Sequence, residues 1–91
     1  MSIRVMTRVW DSSKHHSSAL LLLLAVADFA DDGGWAFPGV DTLAKKIRLG
    51  ERQTQNLLRV LETSGELVVQ INAGPHGTNL YWVHVGGVQS P

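Results

Sequence analysis

Between Lys45 and Arg59 the chain reads Lys-Lys-Ile-Arg-Leu-Gly-Glu-Arg-Gln-Thr-Gln-Asn-Leu-Leu-Arg, with five cations against one acid, Glu51. Arginine can bond guanine through two donors at once, and glutamine or asparagine can do the same with adenine. Arg52, Gln53, Gln55, Asn56 and Arg59 are therefore a set able to read base edges of duplex DNA. Lys45, Lys46 and Arg48, just upstream, are suited to phosphate oxygens, which fix register without carrying sequence. A merely solvated helix face would be served by Lys and Glu. The chain's formal net charge is zero, so the segment is one pole of an uneven distribution. Asp28, Asp31, Asp32 and Asp41 lie just before it, and the chain after Leu67 carries no formal charge.

A second polar group surrounds Gly74, Pro75 and Gly77: Asn72, His76, Thr78 and Asn79 offer uncharged donors for phosphate or minor-groove contact. It has no Arg or Lys, so a plain β-turn is the competing reading. Catalytic and metal chemistry finds little support. His15 and His16 are adjacent and so point apart on a helix, His76 and His84 lie in different parts of the hairpin, and there are no cysteines, which argues against a metal site. No Gly-x-x-x-x-Gly-Lys-Ser/Thr loop and no Gly-x-Ser-x-Gly elbow occurs. The chain is expected to be no enzyme and to need no cofactor.

These residues need elements to hold them. Val40, Leu43, Ala44 and Ile47 recur at i, i+3, i+4, i+7 and predict a short amphipathic helix after Gly39. Asp41 in its first turn and Lys45 and Lys46 in its last suit the helix dipole. A second periodic stretch from Glu51 places Thr54, Leu57, Leu58 and Leu61 on one stripe and ends at Gly65. Arg48-Leu49-Gly50 is then a three-residue connection of the kind a helix-turn-helix requires. Ahead of these, Ala19 to about Ala30 reads as a central helix, apolar all round and capped by Ser17 or Ser18. Asp31-Asp32-Gly33-Gly34 ends it with a turn. Ile3 to Trp10 has strand character, and Trp35-Ala36-Phe37-Pro38 fits a brief edge strand. Alternation at Leu67 to Asn72 and again at Asn79 to Val85 predicts a β-hairpin with a long tip.

The order helix, short strand, helix, turn, helix, hairpin resembles the winged helix-turn-helix, an α+β fold with a three-helix core and a C-terminal β-hairpin wing. Phe37-Pro38-Gly39-x-x-Thr42-Leu43-Ala44, Leu49-Gly50-x-Arg52-Gln53-Thr54 and Leu61-Glu62-x-x-Gly65-x-Leu67 are similar to the corresponding stretches of bacterial phage and plasmid replication initiators and mobile-element regulators. The resemblance covers about residues 17 to 85. It implies sequence-specific binding of double-stranded DNA in replication initiation or transcription regulation. That family usually opens its recognition helix with a Ser cap, followed three residues on by Thr and then Val. Here Gly50, Gln53 and Thr54 hold those places, which changes the cap and one phosphate contact.

Ninety-one residues make a single domain, and 44 % hydrophobic with 18 % charged residues is a globular composition. The expected division is an N-terminal extension over 1–16, the winged helix-turn-helix over 17–85 and a linker or tail over 86–91. The absence of cysteine favours a reducing compartment, the cytoplasm. Residues 1 to 27 imitate a secretory signal, but Asp11 and the His15-His16 pair interrupt the leader. The apolar run stops at Asp28, short of the roughly 20 residues of a membrane span. The rival to DNA binding is a protein-interaction module, in which the leucine-rich helix and Trp10, Trp35 and Trp82 offer an apolar surface. A homodimer, a C-terminal domain, or a replication or transcription partner protein are the expected associates.

Overall fold

The structure, a computed structural model, describes residues 2–85; the stretch 86–91, expected as a linker or tail, lies outside the described residues. Its helices are α1 (Ile3–Ser12), α2 (Ser17–Phe29), α3 (Val40–Ile47) and α4 (Glu51–Ser64). Its strands are β1 (Trp35–Ala36), β2 (Leu67–Gln70) and β3 (Leu80–Val83), with a single 3-10 turn at Pro75–Gly77. The strands form one antiparallel sheet in the order β1-β3-β2, with Trp35 opposite Trp82 and Val69 opposite Tyr81. This is the α+β winged helix-turn-helix layout: α2, α3 and α4 form the helical core, and β2 with β3 forms the wing.

Helix α2 is the centre because Leu22 through Ala27 are buried without a break, leaving the other elements to cover it on several sides. Val5 and Val9 of α1, Leu43 and Ile47 of α3, Leu58 and Leu61 of α4, and Tyr81 and Val83 of β3 join the same core. Its far end is closed by a tight approach. Gly34 has a φ of +92°, and a Cβ there would lie 3.0 Å from the Val83 carbonyl oxygen, so only glycine lets this turn meet β3.

Two expectations are corrected. Ile3 to Trp10 is a helix and not a strand: Ser2 accepts a bond from the Val5 amide at 3.1 Å, and Val5 and Val9, one turn apart, are both buried. Their β-branched character gave way to packing on α2, and α1 thus contributes to the common core. Neither Ser17 nor Ser18 caps α2. Its first residue, Ser17, has a φ of 53°, and the preceding loop is fixed from elsewhere. The Glu66 carboxylate accepts from the Ser13 hydroxyl at 2.5 Å and from the Lys14 amide at 2.8 Å, while the Glu66 carbonyl accepts from the His84 amide at 2.9 Å. That strap, and not a serine cap, sets where α2 begins. His15 and His16 consequently lie in the loop before the helix.

Candidate nucleic-acid interface

The candidate interface is built from the turn outward. Helix α3 ends at Arg48, whose backbone is left-handed (φ 63°, ψ 40°), and Leu49 returns its amide to the Ala44 carbonyl at 3.1 Å. Gly50 then opens α4 with no side-chain cap. Thr54 takes over part of that work from inside. Fully buried, its hydroxyl donates to the Gly50 carbonyl at 2.9 Å, which ties the turn to the first turn of the helix.

Thr54, Leu58 and Leu61 are buried and Leu57 is half-buried, so α4 has one inward stripe. Arg52, Gln55, Asn56 and Arg59 recur at i, i+3, i+4, i+7 on the opposite side, all exposed, with Gln53 exposed at their edge. The five residues expected to read bases therefore share one outer surface. Lys45 and Arg48 are also exposed, and neither has an ion-pair partner among the described residues. Lys46 is placed differently. Its ammonium lies 2.8 Å from the Asp28 carboxylate and 5.3 Å from the centre of the Phe29 ring, so it is engaged with α2.

A cleft of about 300 Å³ separates α4 from the wing. Gln55, Arg59 and Glu62 form one wall, and Val69, Ile71, Asn79 and Tyr81 the other. It brings two of the expected base-reading residues together with one residue of the wing. The other wing residues are partly occupied at the tip. Thr78 donates its hydroxyl to the Pro75 carbonyl at 2.7 Å, and the Asn79 amide oxygen accepts from the Asn72 amide at 3.1 Å. Asn72 and His76 are exposed, each with a left-handed backbone. Burial raises the Tyr81 phenol above its ordinary pKa, an effect partly opposed by its hydrogen bond with Asn79.

Sequence reasoning missed Ile71 and Glu62 as cleft residues. The alternation from Leu67 to Asn72 sets Ile71 on the same strand face as Leu67 and Val69, but β2 ends at Gln70, the pleat stops, and Ile71 is left 76 % exposed. The left-handed Asn72 is the signal that would have ended the strand earlier. Elsewhere, His15 Nε2 lies 2.8 Å from the Ser64 hydroxyl, a pairing that resembles a nucleophile and its base. Ser64, however, donates to the Leu61 carbonyl at 2.8 Å, so its oxygen is left to accept from His15 and the contact is a helix-end tether. Among the described residues no cluster of three or more metal-ligating side chains occurs, and no helix is long and apolar enough to cross a membrane.

The model of a helix-turn-helix domain family matches residues 17–65, which takes in α2, β1, α3, the turn and α4. No curated protein and no solved structure matches significantly.

Proposed function

This chain belongs to the helix-turn-helix domain family, and we propose that it binds double-stranded DNA sequence-specifically, with α4 lying in the major groove. The observation that carries the reading is the exposed surface of Arg52, Gln53, Gln55, Asn56 and Arg59, turned away from the buried Thr54, Leu58 and Leu61. Lys45, in the last turn of α3, and Arg48, in the turn itself, hold phosphates. The uncapped amides at the start of α4 offer a third contact, favoured by the helix dipole. Lys46 joins them only by leaving Asp28. Asn72 and His76 are the wing donors free to reach the backbone; Thr78 and Asn79 serve chiefly to shape the tip.

The biological setting we propose is replication initiation or transcription regulation of a phage, plasmid or other mobile element. It rests on the Phe37-Pro38-Gly39, Leu49-Gly50-x-Arg52-Gln53-Thr54 and Leu61-Glu62-x-x-Gly65 stretches. A second reading, a protein-interaction module without direct DNA contact, is favoured by the zero net charge and by Ile3 and Trp10 standing 73 % and 63 % exposed.

Fluorescence anisotropy with a labelled duplex separates the two. With about two to four phosphates neutralised, a slope near −0.9 per contact lowers affinity roughly 10- to 150-fold between about 50 and 200 mM salt. An affinity indifferent to salt, or no binding at low salt, would sink the DNA reading.

Arg48 supplies a sharper prediction because its charge and its backbone pull in opposite directions. A left-handed non-glycine residue costs roughly 1–2 kcal/mol, of which the greater chain entropy of glycine returns about half. Arg48→Gly should raise stability by up to about 1 kcal/mol, roughly 4–8 °C in thermal midpoint for a domain of this size. The same variant should lose affinity for every duplex alike and flatten the salt slope by about one contact. A variant that gains stability and keeps its full affinity would remove Arg48 from the interface.

A further inference from the structure

Helix α1 has an outer face that none of the described residues covers. Ile3, Thr7 and Trp10 recur at i, i+4, i+7 along it, with Arg4 and Asp11 flanking the same edge, and all five are exposed. The opposite face, Val5 and Val9, is buried against the core. The charges on the outer face are the reverse of what an isolated helix prefers. Arg4 lies in the first turn and Asp11 in the last, whereas the dipole favours acids at the start and bases at the end; α1 has no acid in its first turn and no base in its last. Neither charge has an ion-pair partner among the described residues, whose one ion pair is Lys46–Asp28.

A second copy of the same helix supplies every missing partner. When two α1 helices cross antiparallel about a two-fold axis at Thr7, positions whose numbers sum to about 14 face each other. Ile3 then meets Trp10 of the second copy and Arg4 meets Asp11 of the second copy, each within one residue's rise of about 1.5 Å, well inside the reach of these side chains. The axis keeps the flanking edge of one helix beside that of the other, so each contact forms twice, and the small Thr7 allows close approach at the crossing. A parallel arrangement would carry the Arg4–Asp11 edges of the two helices to opposite flanks and leave both charges unpaired.

We propose that α1 is an isologous dimerisation surface whose occupant is a second copy of this chain in antiparallel register. A ten-residue helix buries an area at the small end of protein interfaces, so the isolated dimer is weak, with a micromolar dissociation constant.

The proposal does not depend on DNA binding, and its test omits nucleic acid. Sedimentation velocity is run from about 1 to 300 µM, bracketing the micromolar range expected of so small a contact. It compares the wild type with Arg4→Asp, Asp11→Arg and the two combined. Each single reversal sets like charges face to face twice and should weaken association about ten-fold or more, while the double reversal restores it to about the wild-type value. Each reversal also brings its charge into agreement with the helix dipole, so loss of the dimer cannot be ascribed to unfolding, and circular dichroism verifies this. A wild type monomeric throughout would overturn the proposal, as would a dimer indifferent to the single reversals or a double variant that fails to recover.

Discussion

Replacing Arg52 and Arg59 together by alanine should lower affinity for a preferred duplex by about 100-fold or more while changing affinity for random duplex far less. A good bidentate contact from arginine to guanine discriminates by roughly 1–3 kcal/mol, and two of them multiply. Both side chains are exposed, on the stripe opposite the buried face of α4, so their removal leaves no cavity and no orphaned partner in the fold. The preferred duplex is obtained by selection from a random pool with the wild-type protein, and the two affinities are measured at one fixed salt concentration. Equal losses on both duplexes would make the arginines phosphate contacts. No loss on either would return this surface to solvent and strengthen the protein-interaction reading.

The largest loss of stability is expected at Leu61, fully buried where α4 meets α2. Leu61→Ala removes three heavy atoms from the core, and truncations of this kind cost about 2–5 kcal/mol. In a domain of this size that is a fall of roughly 10–30 °C in thermal midpoint, enough to consume much of the margin of a small protein. Val60→Ala, next to it and 48 % exposed, is the control and should stay within about 0.5 kcal/mol of wild type. Comparable effects at the two positions would mean that α4 is rotated about its axis relative to the structure, and with it every residue assigned to the outer face.

The helix-turn-helix was legible because its signals are local. Gly39, Gly50 and Gly65 bracket two stretches of apolar residues at helical spacing, and those stretches are α3 and α4 to the residue. The exposure of Arg52, Gln53, Gln55, Asn56 and Arg59 followed from the same periodicity. What was not legible depended on distant partners. Ile3, Val5, Val9 and Trp10 are good strand formers, and it is the burial of Val5 and Val9 against the core that makes the segment helical. The hold of Asp28 on Lys46 joins two helices separated by β1. The start of α2 is set by Glu66, some fifty positions downstream, so a serine beside an apolar run gave a false cap.

Glu66 has a mechanical consequence. One carboxylate grips the end of α1 through Ser13 and Lys14, and its own backbone follows directly on the last turn of α4 while bonding His84, just past β3. The outer helix and the basic helix are thereby clamped to one another at their adjoining ends and swing as a single lever. If two copies join through α1, the distance between their basic helices is not left to a flexible hinge. It becomes a fixed gauge, cut to one spacing along the double helix and unforgiving of insertions between the halves of a target.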